Sequence, residues 1–548
     1  MSAADDPTLR ALVGGVLWPG YLGHDVPDWL RREIGDGGLA GAVMFSQNLP
    51  AGGRGAPGEA DASAGRGAPG EADASAGRGA PGEAGRVSRP AFRNLRDDVL
   101  VGIDEEGGNV TRLEASTGST LPGAAQLGFV DDTDATTAVG RELARRSLAV
   151  GANVVLAPVA DVNTDPRNPV IGVRAFGDTA ELVSRHVVAA VRGIQSAGAA
   201  ACVKHFPGHG DTHLDSHLAL PTLPIDADEI ERMHLPPFQA AIEAGVAAIM
   251  TGHLVVPEWG AAPATLNSAV LARLRGMGFE GVIVSDALDM AAIRETVGAG
   301  PGAVQALLAG ADLLCVGNPL NLGDAAAPDQ DERDFHEVQA AILAALDDGT
   351  LPVSVLEAAA ARVRILGGSL AGGGLDGGAA WGDDEPGPFD AASVARAAIS
   401  IDGDVAAAPG PRIVLDLRGR PSMAVEGDTD HVARALAAGG RTVRVDVGAM
   451  TEVERTRALE EALAFRARRP VVVLVDAVGV EGAQVDAVAR IAGTRPDAVV
   501  VNVGMPSGPL ALPAMHLRAG SRLAGEAADA QLAGSHADAA ATAGSASA

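Results

Sequence analysis

The stretch AACVKHFPGHGDTHLDSHLALP (200–221) joins a short apolar run to a dense polar loop. Its first four residues, AACV, predict a buried strand because they are apolar on both faces. Pro207, Gly208 and Gly210 then exclude a regular helix, so the polar residues follow the strand as a loop. The eighteen residues from Lys204 onward hold four histidines, two aspartates and one lysine. This layout predicts that the chemistry of the protein lies at the carboxyl end of a sheet.

Apolar, strand-like runs alternate with helix-like segments through the first two thirds of the chain. Eight of these runs are apolar on both faces, which indicates strands buried on both sides of a parallel sheet. Eight strand–helix units in about 350 residues predict an α/β fold, a (β/α)8 TIM-type barrel. An open doubly wound sheet is the alternative that this pattern leaves open. The predicted strands are 14–18, 41–45, 99–104, 153–159, 200–206, 247–253, 281–287 and 312–317.

A smaller alternating set follows a segment that is rich in glycine and acidic residues. A smaller α/β sandwich domain with a mostly parallel sheet is predicted by its strand-like runs at 412–417, 442–447, 470–477 and 497–504. We therefore predict that the chain divides into three parts. They are the (β/α)8 catalytic domain over 1–367, a linker over 368–389, and the C-terminal α/β domain over 390–548, which ends in a disordered tail.

The segment before the third predicted strand departs from the alternation. GRGAPGEADASA (53–64) is repeated letter for letter at 65–76, and a third copy begins at Gly77 and breaks off after Ala84. The repeat is rich in glycine, alanine and proline and has no apolar periodicity, so it cannot bury a core. We predict a disordered insert over 53–84 within the first domain.

Composition limits the classes of partner and the compartment. A formal net charge of −28 and an isoelectric point near 4.7 argue against nucleic acid and anionic membranes as partners. The N-terminus has no basic region before an apolar run, and no window reaches about 18 uninterrupted apolar residues, so we expect neither a signal peptide nor a transmembrane helix. Cys202 and Cys315 lie in predicted strands and are expected to be buried free thiols. Together these features predict a cytoplasmic protein.

The polar side chains that follow the predicted strands are candidates for a functional site. In a barrel, the carboxyl ends of the strands meet at one mouth, so these side chains would converge there. Any one of these side chains could instead cap a helix. A capping role for every one of them is less expected than a functional role for several. The candidates are Asp104, Arg174, Lys204, His205, His253 and Asp286.

The histidines and aspartates of the polar loop fit two kinds of chemistry. They could hold a metal ion, because metal sites need two to four such ligands that converge. They could also serve acid–base catalysis: Asp215 and His217 are two residues apart and point the same way in an extended segment, where the carboxylate can fix the imidazole tautomer. Asp286 would then be the nucleophile. The loop residues concerned are His205, His209, Asp211, His213, Asp215 and His217.

Four motifs resemble glycoside hydrolase family 3, in its β-N-acetylhexosaminidase branch. They are IDEEGGNVTRL (103–113), NPVIGVRAFG (168–177), KHFPGHGDTHLDSHLALP (204–221) and VIVSDALDM (282–290). The third motif separates this branch from the β-glucosidases of the family. The resemblance runs through almost the whole chain, but the repeat stands where the family usually has a helix. It implies a (β/α)8 barrel, often with an added α/β domain, and neither a metal ion nor a cofactor.

The resemblance also implies a role for individual residues of these motifs. Asp286 is expected to be the nucleophile, His217 the general acid/base, and Asp215 the partner that orients His217. A second set of residues is expected to bind the sugar, namely Asp104, Arg112, Arg174, Lys204 and His205.

The implied activity is that of a retaining β-N-acetylhexosaminidase. Such an enzyme removes terminal β-linked N-acetylglucosamine from small saccharides, here peptidoglycan or chitin fragments, by double displacement through a covalent glycosyl-enzyme. Three alternatives stay open: a β-N-acetylglucosaminide phosphorylase that uses the same site, a metal-dependent hydrolase on a barrel, and a sugar-binding protein without turnover.

Overall fold

The computed structural model describes most of the chain, in several stretches. These are residues 2–49, 91–212, 220–223, 225–373, 389–419, 425, 430–463, 469–477 and 482–534. The repeat at 53–84, most of the predicted linker and the predicted tail lie outside the described residues. So does the segment 213–219, which carries the predicted dyad of Asp215 and His217.

The first part of the chain is an α/β fold with a curled sheet of parallel strands. Each of the eight predicted strand segments overlaps an observed strand. In chain order the strands are β1 (Leu17–Pro19), β2 (Gly41–Met44), β3 (Leu100–Ile103), β4 (Glu105–Gly107), β5 (Val110–Thr111), β6 (Val154–Val155), β7 (Ala200–Phe206), β8 (Ala248–Thr251), β9 (Val282–Val284) and β10 (Leu314–Gly317).

Parallel pairing brings the carboxyl ends of these strands to one side of the molecule. Six of them hydrogen-bond in the order β2, β3, β6, β7, β8 and β9, and β1 pairs in parallel with β10. Single bridges from Gly20 to Val43 and from Val284 to Leu313 connect the two groups. The remaining pair, β4 and β5, forms an antiparallel hairpin just beyond the end of β3. The predicted site residues that the structure describes therefore lie at the same edge, although Lys204 and His205 belong to the end of β7 itself and not to the loop that was predicted from Lys204 onward.

Helices cover the outer face of the curled sheet. Alternate strand residues such as Val101, Val203 and Ile283 pack beneath these helices, while Leu100 and Cys202 belong to the set that packs on the other face. Burial on both faces explains why the strands read as continuous apolar runs. The helices are α1 (Pro7–Gly14), α2 (Asp28–Gly35), α3 (Ala124–Val130), α4 (Thr133–Ala149), α5 (Ala180–Ser196), α6 (Ala227–Glu229), α7 (Pro236–Glu243), α8 (Ser268–Gly276), α9 (Ala291–Arg294), α10 (Ala299–Ala309), α11 (Gln330–Asp347) and α12 (Val353–Ala371).

The second part of the described chain is built on another sheet. Its strands are β11 (Ser400–Asp402), β12 (Ile413–Asp416), β13 (Arg441–Arg444), β14 (Val471–Val475), β15 (Val499–Asn502) and β16 (Ala514–His516). They lie in the order β11, β16, β15, β14, β12 and β13, and every neighbouring pair is parallel except β11 with β16. The helices are α13 (Ala391–Ala397), α14 (His431–Ala437), α15 (Glu452–Leu463), α16 (Gly482–Thr494) and α17 (Arg522–Leu532). Helices α14 and α17 cover one face, and α15 and α16 cover the other.

Two expectations from composition can be compared with this fold. Cys202 and Cys315 are buried free thiols, as predicted. Among the stretches of chain that the structure describes, no helix combines the length and the apolar character needed to cross a membrane.

Candidate active site

A pocket opens at the carboxyl ends of the first sheet. It brings together the predicted residues Asp104, Arg112, Arg174, Lys204, His205 and Asp286. These side chains come from the ends of β3, β7 and β9, from the residue after β5 and from the loop after β6. The curled parallel sheet therefore gathers residues that are up to 182 positions apart in the chain, from Asp104 to Asp286.

Lys204 lies between two carboxylates at the centre of the pocket. Its Nζ is 2.6 Å from Oδ1 of Asp104 and 2.8 Å from Oε1 of Glu106. Arg112 adds a third contact, from its Nη2 to Oδ2 of Asp104 at 3.3 Å. The three side chains of Lys204, Arg112 and Glu106 are each less than a tenth exposed. Charged groups buried to this extent need such partners, because an unpaired charge would be strongly unfavourable there.

Glu106 was not among the residues predicted from the sequence. It forms a bidentate pair with Arg174, with Nε 2.9 Å from Oε2 and Nη2 2.7 Å from Oε1. This planar pairing fixes the guanidinium, so Arg174 points into the pocket in one orientation. The motif IDEEGG offers two adjacent glutamates, and only Glu106 faces the pocket. The alternation of side chains along β4 could have separated the two, had the hairpin been recognised.

These contacts keep the central groups ionised. Burial alone would raise the pKa of Asp104, but the Lys204 and Arg112 cations outweigh it and hold that pKa below its ordinary range. Burial likewise opposes ionisation of Glu106, yet Arg174 and Lys204 lower its pKa to about 2. The same pairings raise the pKa values of Lys204 and Arg174 despite their burial. The pocket therefore presents fixed, charged donors and acceptors that suit a ligand with several hydroxyl groups.

Glu105 holds the backbone of Arg112, just after the end of β5. Its Oε2 accepts the backbone N–H groups of Arg112 at 2.9 Å and of Leu113 at 3.1 Å. Burial raises the pKa of this carboxyl to about 7, although hydrogen bonds from Thr111 and from the backbone oppose the increase. The carboxyl is thus a support behind the pocket wall rather than part of it.

Asp161 orients His205 and was also missed by sequence reasoning. Oδ2 of Asp161 is 2.7 Å from Nδ1 of His205, and Oδ1 accepts the backbone N–H of His209 at 2.7 Å. Burial would raise the pKa of Asp161, but His205 lowers it to about 2. A carboxylate at Nδ1 selects the tautomer with the proton there, which leaves Nε2 of a neutral His205 as an acceptor. Asp161 follows β6 in the run APVAD, so its position after a predicted strand was the available signal.

Asp286 follows β9 and is half-buried in the pocket wall. Its Oδ1 accepts the backbone N–H of Ala287 at 2.8 Å. His253, which was also expected at a strand end, is buried behind this loop, where its ring contacts Oγ1 of Thr265 and the carbonyl of Ala287, both at 2.9 Å. His253 therefore supports the loop of Asp286 and does not line the pocket.

The other residues of the polar loop that the structure describes have structural contacts. His209 lines the pocket, and its Nδ1 is 2.8 Å from Oγ1 of Thr212. Burial lowers the pKa of His209 to about 4, so its ring is neutral near pH 7. Asp211 accepts a hydrogen bond from Thr164 at 2.6 Å. Within the described residues no group of three or more His, Cys, Asp or Glu is placed to hold a metal ion. The alternating residues at 213–217 lie outside those residues.

The second part of the chain contacts the hairpin of β4 and β5. Asn109, in the turn between Glu106 and Arg112, accepts the backbone N–H of Gly520 at 2.6 Å. In the loop that follows, the carbonyl of Ser119 accepts the N–H of Leu523 at 3.1 Å. The second part thus supports the backbone that carries two side chains of the pocket.

Comparison with known proteins gives the family. The model of the glycosyl hydrolase family 3 N-terminal domain matches residues 88–366, which is just over half of the chain. The chain belongs to this family. The matched range includes the predicted pocket residues, from Asp104 to Asp286.

Individual relatives agree with the family match. Beta-hexosaminidase A of Pseudoalteromonas piscicida is 32% identical in a 290-residue alignment that covers 49% of this chain and 47% of that protein. A beta-hexosaminidase of Neisseria meningitidis serogroup C is 36% identical in a 237-residue alignment that covers 41% of this chain and 65% of that protein. The chain therefore matches less than two thirds of the length of these curated relatives.

A solved structure resembles the chain over nearly its full length. The glycoside hydrolase family 3 β-N-acetylglucosaminidase from Paenibacillus sp. str. FPU-7 superposes with a TM-score of 0.74. The superposition covers 96% of each chain, at 28% sequence identity. The similarity therefore extends through the second sheet as well as the first.

Proposed function

We propose that this chain is a retaining β-N-acetylhexosaminidase. It would hydrolyse terminal β-linked N-acetylglucosamine from small saccharides such as peptidoglycan or chitin fragments. The observation that carries the proposal is a single pocket in which the carboxylate of Asp286 lies with the hydroxyl-binding set of Asp104, Arg112 and Lys204. The names of the relatives, beta-hexosaminidase and β-N-acetylglucosaminidase, support the choice of sugar.

In the proposed first step, an oxygen of the Asp286 carboxylate attacks the anomeric carbon of the sugar. The bond from that carbon to the leaving-group oxygen breaks, and His217 donates a proton to this oxygen. The product of the step is a glycosyl ester of Asp286 and a free alcohol. Asp215 would orient His217 and stabilise its protonated form before the transfer.

In the second step, water displaces Asp286 from the anomeric carbon. His217 takes a proton from the attacking water and returns to its starting state, and the ester bond breaks. Two displacements on the same carbon retain its configuration. His217 and Asp215 lie outside the described residues, so their roles rest on the family resemblance and stay predictions.

The sugar-binding roles follow from charge and position. Asp104 would accept hydrogen bonds from sugar hydroxyls, and Lys204, Arg112 and Arg174 would donate to them. His205 would accept a hydrogen bond from a sugar hydroxyl at Nε2, since Asp161 occupies Nδ1. We add Glu106 as a positioning residue, because its carboxylate holds both Arg174 and Lys204.

We propose further that the curled sheet closes into a (β/α)8 barrel, followed by a smaller α/β sandwich domain. The parallel pairing of β1 with β10 and the two single bridges support closure. The domains would span 1–367 and 390–548, with 368–389 between them. The absence of cofactor and metal, the cytoplasmic location, and the lack of nucleic acid or membrane partners stay predictions.

The central test uses p-nitrophenyl β-N-acetylglucosaminide with azide as an added nucleophile. We expect turnover by the parent protein and near-background activity for Asp286→Ala and His217→Ala. Azide should yield the α-glycosyl azide with Asp286→Ala, because the enzyme nucleophile is missing, and the β-glycosyl azide with His217→Ala, because the ester still forms. Full activity of Asp286→Ala would refute the nucleophile assignment.

Three further measurements separate the remaining alternatives. Release of sugar 1-phosphate in phosphate buffer would identify a phosphorylase. Loss of activity in EDTA that added metal restores would identify a metal-dependent hydrolase. Binding of the sugar without turnover by the folded parent would point to a sugar-binding protein.

A further inference from the structure

The part of the pocket next to the proposed nucleophile is lined by neutral side chains. The ends of β9 and β10 contribute Met290, Asn318 and Asn321 to the lining, beside Asp286. This composition differs from the charged groups that the ends of β3 and β7 contribute. Neutral amide and apolar groups suit a neutral ligand group that has both a polar and an apolar side.

Asp289, three residues after Asp286, holds one of these amides in place. Its Oδ2 accepts Nδ2 of Asn321 at 2.7 Å and the backbone N–H of Asn318 at 3.1 Å. Because the amide nitrogen of Asn321 is engaged behind the wall, its Oδ1 is the atom left for the pocket. Within the described residues this oxygen has no hydrogen-bond partner.

Asp289 itself has little room to move. A Cβ atom at Gly317 would lie 1.9 Å from Oδ1 of Asp289, so the carboxyl packs directly against the backbone at the end of β10. Oδ1 is buried and has no hydrogen-bond partner among the residues described. The loop is also tied to β10 by a hydrogen bond from the N–H of Leu288 to the carbonyl of Cys315 at 2.9 Å. The position of Asn321 is therefore set by a rigid second layer.

The chemistry of the substrate indicates what such a wall would contact. In N-acetylglucosamine the acetamido group is attached to C2, the neighbour of the carbon that Asp286 would attack. A protein group that recognises it must therefore lie close to Asp286. The acetamido group offers one N–H donor, one carbonyl acceptor and one methyl group, and of these the N–H calls for a fixed acceptor and the methyl for an apolar surface.

We propose that Asn321 is a specificity-determining residue that accepts the acetamido N–H at its Oδ1, and that Asp289 is the residue that positions it. Met290, which lines the same stretch of pocket, would contact the acetamido methyl group. The inference rests on the proposed function, because it assumes that the sugar binds with its anomeric carbon at Asp286.

The test compares two substrates that differ at C2, p-nitrophenyl β-N-acetylglucosaminide and p-nitrophenyl β-glucoside. The measured quantity is the ratio of their kcat/KM values. Asn321→Ala should lower the ratio of acetamido substrate to glucoside about tenfold, mainly because kcat/KM for the acetamido substrate falls. A tenfold change is the size expected for one lost hydrogen bond. Asp289→Ala should lower it in the same direction, because Asn321 is then free to turn.

Two variants serve as controls for structural damage. Asp289→Asn keeps an oxygen that can accept a hydrogen bond from Nδ2 of Asn321. The ratio for this variant should therefore stay within about twofold of the parent value. Gln195→Ala removes an amide that also makes two hydrogen bonds, to Gly245 and Ala247, but before the amino end of β8. It should leave the ratio unchanged.

Equal losses on both substrates in Asn321→Ala would overturn the inference, as would a ratio that Asp289→Ala leaves unchanged. If the parent turns over neither substrate, the proposed function fails. Calorimetric binding of N-acetylglucosamine and glucose then decides the inference separately. A preference for N-acetylglucosamine that Asn321→Ala abolishes supports it, and equal affinities in parent and variant refute it.

Discussion

The ammonium group of Lys204 lies 2.6 Å from Oδ1 of Asp104, although the two residues are 100 positions apart in the chain. Each group favours the charged form of the other and so opposes the effect of burial on its pKa. The pair is therefore both a structural support and the proposed centre of sugar recognition.

Replacing Lys204 by methionine should affect stability and activity together. Asp104 would keep only Arg112 and Glu106 only Arg174 as a counter-charge, and breaking a buried ion pair costs up to about 3–5 kcal/mol. We expect a clear fall in Tm and a loss of kcat/KM of about a hundredfold. The double variant Asp104→Asn/Lys204→Met is the matched control: it should regain much of the Tm but none of the activity. A Lys204→Met protein with parental Tm would contradict the argument.

Replacing Glu105 by glutamine should change how stability depends on pH. The folded pKa of about 7 lies above the ordinary value of 4.5, so the folded state favours the protonated acid. Its contribution to stability is complete below about pH 4.5 and is lost as the pH rises to about 7. Glutamine keeps a carbonyl for the N–H groups of Arg112 and Leu113 without a charge. We expect the Tm of Glu105→Gln to match that of the parent at pH 5 and to exceed it at pH 8. A parent that has the higher Tm at pH 8 would contradict the prediction.

Replacing Asp161 by asparagine should act through the ring of His205. The amide is similar in size but cannot hold the Nδ1–H tautomer as firmly as a carboxylate. We expect kcat/KM to fall about tenfold or more, with a small change in Tm and a displaced pH–rate profile. His205→Ala gives the reference loss, and Asp161→Asn combined with it should add little, because both act on one interaction.

Replacing Asn109 by alanine tests whether the second part of the chain supports the pocket. The variant loses the hydrogen bond from the N–H of Gly520, so the hairpin between Glu106 and Arg112 is less firmly held. We expect KM to rise about threefold with little change in kcat. Asn109→Asp keeps an acceptor oxygen and should have the KM of the parent. Equal KM values for Asn109→Ala and Asn109→Asp would show that the contact has no role in binding.

Sequence reasoning succeeded where the signal was local. Apolar runs located the strands, and the polar residue after each run located Asp104, Lys204, His205 and Asp286, which share one pocket. It did not separate His253 from these residues, because a strand-end position does not reveal whether a side chain faces the mouth or the layer behind it. Only its contacts with Thr265 and Ala287 show that it lies behind.

The residues that were missed all act through a partner distant in the chain or through a second layer. Glu106 has its role because Arg174 and Lys204 converge on it, and Asp161 because His205 lies beside it. Asp289 holds Asn321 across two neighbouring strand ends. An acidic residue after a strand has no signature that tells a ligand-binding carboxylate from one that orients a neighbour.

By itself the sequence determined the alternation of strands and helices, the burial of the strands and the set of polar residues at their ends, since each depends on residues a few positions apart. The tertiary structure alone decided the partners: Asp104 with Lys204, Asp161 with His205, and Asn109 with Gly520 across 411 positions. The physical reason is that a hydrogen bond or an ion pair depends on distances of a few ångströms. Such distances between remote residues exist only after parallel pairing has curled the sheet and brought the strand ends together.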